Sequence, residues 1–426
     1  MLFYDITVLD ENFVAKEHQY VLTEGATITY IGDTAPEITE NHERYNGKNK
    51  LLMSGFFNLH SHTPMTLMRG YGENLSLNDW LHKKIFPFED LLTSEDVYYG
   101  TLLGIAEMLR FGIVSTSDMY YFCEDMLKAF TESGMKCNLS RGITCFSDIS
   151  YHDLPGYEEN KILLRDYQNA CDGRIKIELS IHGEYTNTER TILEISEHAK
   201  ESGVPLHIHV SETQEEHLGC IQRHNGMTPM EYFNHLGVLD SKVIAAHCVH
   251  LSGNDFSIMK EKGVSVASCP VSNLKLASGI CDVKSLLAHG INVGLGTDSV
   301  ASNNSLNMIE EMKFFALLQK VHHNDPAIIT PNQAIYAATK AGAIAQSRPD
   351  TGALKVGNRA DLIVLDMDAP YWKPVHQLTN NLVYSAQGND ICLTMVDGNV
   401  LYRDGEYPTI DIEKLKRVQE LSQKDV

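Results

Sequence analysis

Positive charge is in short supply. Lys and Arg total 35 against 56 Asp and Glu, so the 426-residue chain carries a formal net charge of −21. A nucleic-acid polymer or an anionic membrane would be repelled by that balance, whereas a small nucleoside would not. Long apolar runs are missing too. No stretch approaches the roughly 18 uncharged apolar residues of a membrane-spanning helix. The nine cysteines are odd in number, scattered and never spaced CxxC. That pattern argues against a disulfide framework and for reduced, mostly buried thiols in a cytoplasmic protein. The opening MLFYDITVLDENF alternates like a strand and lacks the charged segment and apolar core of a signal peptide. Low-complexity segments and short repeats are absent.

What is there reads as an ordinary globular chain, 43% apolar and 21% charged. Its length suits one large domain, alone or with a smaller companion. Both ends are rich in short alternating runs. FYDITVLD, EHQYVLTEG and ATITYIGDT lead the chain, and ADLIVLDMD, NLVYSAQG and ICLTMVDGNVLYRDGEY close it. Asp397-Gly398 is a hairpin signal inside the last run. The two ends, 1–54 and 352–426, are expected to build one small β-sandwich domain. The middle, 55–351, alternates strands with helices. Candidate strands cover 56–62, 112–119, 135–143, 174–183, 204–212, 243–250, 264–273 and 291–299. Between the first two, Thr93 or Ser94 can cap a helix and Gly112 can end it. Strands and helices alternating in this way point to an α/β fold, a (β/α)₈ TIM-like barrel.

Side chains two apart on a strand point the same way, and in such a barrel the carboxyl ends of the strands form the catalytic face. The first strand ends with His60 and His62. A lone HxH is a weak signal. The fifth strand, however, ends HIHVSE with His207, His209 and Glu212, the sixth brings His247 and the eighth ends GLGTDS with Asp298. Three neutral imidazoles and a carboxylate suit Zn²⁺. His209 is preferred over His207 because it lies nearer the carboxyl end, level with the others. The candidate ligands are therefore His60, His62, His209 and Asp298, with His207 expected deeper in the core. The structural alternatives are a helix cap for Glu212 or Asp298 and a core histidine for His247. His82, His217, His250, His322 and His323 lie in polar surroundings and are expected at the surface.

The stretches GFFNLHSHTPMTLMRGYGENLSLNDWL, IFPFE, HVSET, AAHCVHLS, ASCPVSNLKLASG, GLGTDSVASNNSLNM and GALKVGNRADLIVLD make the chain similar to the amidohydrolase superfamily. It most resembles the 5′-methylthioadenosine/S-adenosylhomocysteine deaminases, relatives of the guanine deaminases and triazine hydrolases. The resemblance runs nearly end to end. It implies one divalent metal ion per subunit, zinc above others, because binuclear members close strand four with a lysine and this chain has His182 there. It also implies hydrolytic deamination of an adenosine-type nucleoside (5′-methylthioadenosine, adenosine or S-adenosylhomocysteine) to the inosine analogue and ammonia. Glu212 would act as acid, His247 would bond the reacting centre, and Asp298 would accept and return a proton.

Further roles follow from the same resemblance. Glu89 would bond the ribose hydroxyls, Arg141 would face the 5′ substituent and His182 would meet the ribose or the base edge. The bland readings are a surface glutamate, a structural ion pair and a structural histidine. Trp80 belongs either near the ring or to plain loop core. Members acting on S-adenosylhomocysteine carry a second arginine after strand three. Here SDISYHDLPGYEEN has none, and Gly156 stands at about that position, with Lys161 or Tyr157 as possible substitutes. A free-base or pterin deaminase, a triazine-type hydrolase and a metal-free binding protein are the competing readings. The expected partner is a small nucleoside, with no nucleic-acid polymer and no membrane, and assembly into a homo-oligomer stays open.

Overall fold

The computed structural model describes residues 1–37 and 42–424. Eight parallel strands follow one another in chain order: β1 (Phe56–Ser61), β2 (Ile113–Tyr120), β3 (Lys136–Arg141), β4 (Ile175–Ile181), β5 (Leu206–Val210), β6 (Val243–His247), β7 (Ser265–Ser268) and β8 (Asn292–Leu295). Helices connect them, giving the α/β barrel that the alternation predicts. The first and last strands meet at a seam. There Gly294 and Gly296 admit Leu59 and His60 so closely that a Cβ at either glycine would collide with them. Just past β8, the Asp298 N–H donates to the His60 carbonyl at 2.9 Å.

Both chain ends join one continuous sheet of eight strands, which hydrogen-bond in the spatial order Asn399–Arg403, Ile391–Val396, Leu362–Asp366, Lys50–Ser54, Leu2–Leu9, Ala15–Glu24 and Thr27–Gly32, with Arg44–Asn46 beside Leu2–Leu9. It encloses a core of its own around Phe3, Ile6, Val21, Leu52, Leu362 and Met395. Asp397 and Gly398 both take left-handed conformations and turn the last hairpin. NLVYSAQG is not a strand. It lies in the helix Leu378–Tyr384 and its end, where Leu378, Leu382 and Val383 bury one helical face. At the start of β3 the buried Lys136 ammonium pairs with Asp361 and, at 2.7 Å, with Asp397, so one cation fastens the barrel to the terminal sheet.

Local signals act as expected on the helix Ser94–Arg110. Thr93 caps it in a reciprocal box with Asp96, and Gly112 follows its end at φ +78°. The barrel strands stop sooner than the apolar runs suggest. Ser211, His247, Cys248 and Asp298 all have positive φ, so the chain turns sharply where β5, β6 and β8 end. After β7, Pro270 opens the helix Pro270–Lys275, which ends the expected strand at Ser268. All nine cysteines are free, and all but Cys171 are buried. Among the described residues no helix is long and apolar enough to cross a membrane.

Candidate active site

At the carboxyl ends of the strands the expected cluster comes together. His62, His182, His209, Glu212, His247 and Asp298 line one cavity, roofed by Leu77, Trp80, Leu81 and Ile85 from the loop after β1. His60 lies just beneath, fully buried. The inner ring nitrogens bear on which atoms face the cavity. His62 Nδ1 donates to the Met119 carbonyl and His209 Nδ1 to the His182 carbonyl, each at 2.6 Å. His60 Nδ1 sits 2.9 Å from His207 Nε2. A neutral imidazole has one N–H, so in His62 and His209 it is spent on a carbonyl and the Nε2 lone pair points into the site; His60 presents its Nε2 lone pair in the same way when Nδ1 is the donor to His207.

Those lone pairs converge. His62 Nε2 and His209 Nε2 are 3.3 Å apart, and His60 Nε2 is buried without a hydrogen-bond partner. Asp298 Oδ1 stands 3.5 Å from the Nε2 atoms of both His60 and His62. Burial, with nearby imidazoles, lowers His60 to about 3 and His209 well below the usual histidine range, so neither can relieve the crowding by taking up a proton. Three imidazole lone pairs and a carboxylate facing one point fit a cation, and nitrogen with oxygen is a donor set zinc accepts. The four candidate ligands His60, His62, His209 and Asp298 all belong to this cluster.

Asp298 is held by more than its neighbours on the strand. Its Oδ1 accepts from the Ser299 N–H at 2.7 Å, and Oδ2 accepts from Ser272 Oγ at 2.6 Å and Ser302 Oγ at 2.9 Å. Glu212 does not cap the next helix. Thr213 does that, while Glu216 receives the N–H groups of Ser211 and Glu212 at 2.7 Å each and braces the turn. Burial raises the Glu212 carboxyl, which favours its acid form. His247 gives its Nδ1–H to Asn273 Oδ1 at 2.8 Å and turns Nε2 towards Glu212 Oε2, 3.7 Å away.

Three of these positioning groups, Ser272, Asn273 and Ser302, are missed by strand-end reasoning. The first two sit on the helix after Pro270, within the run ASCPVSN that carries the resemblance but with no strand alternation to single them out. His207 lies one layer deeper, against His60. Beyond it, Glu178 Oε2 is 3.8 Å from His207 Nδ1, and Glu178 Oε1 accepts from Asn138 at 2.8 Å. His217 is a correction: it is buried and bonded to Ser211 and Ser252, not a surface histidine.

The remaining candidates separate. Glu89 and Phe86, with Tyr121, form a wall shared by this cavity and an outer one. His182 lines the inner cavity, its Nδ1 3.1 Å from Thr186 Oγ1. Trp80 lines it as well. Arg141 lies in the outer cavity, and its Nε donates to Glu159 Oε2 at 2.6 Å, which is the ion pair of the bland reading. Gly156 packs so tightly on Ile143 that a Cβ would approach within 2.4 Å. Lys161 is paired with Glu158 on the surface, and Tyr157 packs on Tyr151 and His152.

Known proteins agree with this architecture. A 5′-deoxyadenosine deaminase of Methanocaldococcus jannaschii is 40% identical over 407 residues, covering 95% of each chain. A 5-methylthioadenosine/S-adenosylhomocysteine deaminase of Acetivibrio thermocellus is 42% identical over 379 residues, covering 88% of this chain and 87% of its own. Among solved structures, an adenosine deaminase from Xanthomonas campestris with bound zinc superposes with a TM-score of 0.91 at 28% identity, over 99% of this chain and 97% of that one. The profile described as "Amidohydrolase family" matches residues 51–401, and with relatives this similar along nearly the whole length, the chain belongs to the amidohydrolase family.

Proposed function

We propose that this protein hydrolytically deaminates an adenosine-type nucleoside, releasing ammonia and the inosine analogue, with a single zinc ion held by His60, His62, His209 and Asp298. The deaminase names of the relatives support the reaction class. A divalent ion held by these four residues would supply a Lewis acid able to make a water nucleophilic near neutral pH. The rest of the work falls to the chain. Asp298, its Oδ2 pinned by Ser272 and Ser302 and its Oδ1 held by the Ser299 N–H, still has a lone pair on Oδ1 facing the site to accept a proton and return it to the departing amine. Glu212, raised by burial, donates to the ring nitrogen next to the carbon under attack. His247, fixed by Asn273, keeps Nε2 available to the tetrahedral centre. Trp80, Leu81 and Ile85 give the cavity an apolar wall.

The observation that carries the nucleoside reading is Glu89. It stands in the wall of the same cavity as Glu212 and His247, where a carboxylate can accept two ribose hydroxyls. A free base, a pterin or a triazine would leave it without that partner. A metal-free binding protein would have no use for three lone pairs aimed at one point beside a buried acid. We further propose that residues 1–54 with 352–426 act as one structural unit around the catalytic unit 55–351, in keeping with the separate core of the terminal sheet. An ammonia-release assay on adenosine, 5′-deoxyadenosine, 5′-methylthioadenosine, S-adenosylhomocysteine, guanine and cytosine tests the function. Turnover of the nucleosides is expected, and turnover confined to the free bases would reject it.

A further inference from the structure

With the base at Glu212 and the ribose at Glu89, whatever the 5′ carbon carries extends past the shared wall into the outer cavity. That space measures about 740 Å³, ample for a 5′ substituent. Its charge is lopsided. Glu89, Asp90, Glu124, Asp125 and Glu159 line it against the single cation Arg141. Nor is Arg141 freely available. Its Nε is held by Glu159, its Nη1 donates to the Gly142 carbonyl, and its plane lies 4.5 Å above the ring of Tyr121. Glu159 is itself locked, since its other oxygen accepts from the Cys123 N–H at 2.9 Å. A guanidinium binds a carboxylate best through two parallel N–H groups; with Nε and Nη1 engaged, each of its two paired edges already has one N–H taken, and Nη2 alone is left for a ligand. At the position of a second cation the chain has Gly156, packed against the Ile143 side chain.

We propose that Glu159 is a specificity-determining residue: by occupying Arg141 it closes the outer cavity to 5′ substituents bearing a carboxylate and leaves it open to uncharged ones. This rests on the deaminase reading above. The chain would then favour 5′-deoxy and 5′-alkylthio adenosines over amino-acid conjugates such as S-adenosylhomocysteine.

The test measures kcat/KM on the zinc-loaded full chain for 5′-methylthioadenosine and 5′-(carboxymethylthio)adenosine, which differ in the added carboxylate. The neutral compound is expected to lead by about tenfold or more. Glu159→Gln should shrink that ratio several-fold, because it frees Arg141 and removes one negative charge. A ratio near one in the parent protein, or one untouched by Glu159→Gln, overturns the proposal. Should Glu159→Gln fail to fold, the parent protein answers by salt: screening must narrow the gap if charge sets it, and a gap indifferent to salt overturns it. If neither adenosine, 5′-deoxyadenosine nor 5′-methylthioadenosine releases ammonia, the deaminase reading falls and takes this one with it. If they do and the gap is absent, only the role of Glu159 falls.

Discussion

His60 and His207 share a hydrogen bond, Nδ1 to Nε2 at 2.9 Å, in the sealed interior of the barrel. The bond leaves His60 Nε2 bare and facing the candidate metal position. Partners of this kind orient a ligating imidazole, and losing one typically weakens metal binding about 10–100-fold. His207→Leu should therefore lower zinc affinity by that order in a chelator competition. Thermal unfolding of the metal-free protein would report any general damage separately. Undiminished affinity would show that the His60 ring needs no such support.

Glu212 is the proposed acid of the mechanism. Glu212→Gln is expected to cut kcat by about 10²–10⁴-fold while zinc content by atomic absorption stays at the parent level. Full activity in this variant would remove Glu212 from the chemistry.

The Asn273 side chain accepts from His247 Nδ1 and holds that ring in place. Asn273→Leu frees the imidazole to turn over or change tautomer. A kcat loss of about tenfold or more is expected, with KM and metal content little altered. A change in KM alone would instead make Asn273 a binding group.

Burial raises Glu89 to about 7, and Asp90 adds to the rise while Tyr120 and Arg141 oppose it. The ribose hydroxyls need the carboxylate as acceptor, so nucleoside kcat/KM should climb as pH rises through about 7. Glu89→Gln should lower nucleoside kcat/KM and flatten that limb. A limb retained unchanged in Glu89→Gln would assign it to another group.

Lys136 holds Asp361 across the junction of barrel and terminal sheet. Burial alone would lift the Asp361 carboxyl, and Lys136 with Thr351 outweighs it, holding the group below its ordinary value of 3.8. A depressed carboxyl stabilises the fold above its unfolded pKa, and that contribution disappears as pH falls through the folded value. Acid unfolding should thus draw on this pair below about pH 4. Lys136→Met takes the cation from the fully buried Asp361, while Asp397 keeps Arg359 at 2.8 Å, and should cost about 3–5 kcal/mol in denaturant unfolding at neutral pH.

Much of the site was legible because strand alternation and barrel topology are both periodic. His60 and His62 share a face, and the ends of β5, β6 and β8 converge whichever residues occupy them. The terminal hairpin was legible through Asp397-Gly398, and the helix at 94–110 through Thr93. The rest hides where the chain leaves its periods. Ser211, His247 and Asp298 take left-handed backbones that apolar runs do not announce, so the strands looked longer than they are. Ser272 and Asn273 serve from a six-residue helix between two such turns. His207 was visible as a deep histidine, but its partner on the first strand depends on a stagger between strands far apart in sequence. Residues 381–388 read as a strand because a short helix with one buried face and a short strand have similar compositions.

The seam between β1 and β8 has a bearing on biosynthesis. The hydrogen bond from Asp298 to the His60 carbonyl joins the first and last staves of the cylinder at the same pair of residues that would grip the ion. A nascent chain on the ribosome cannot complete the cage until the eighth stave has emerged, some two hundred and forty residues after the first. Cylinder closure and completion of the proposed four-residue cage would thus coincide, late in synthesis, with the last strands of the terminal sheet still to come.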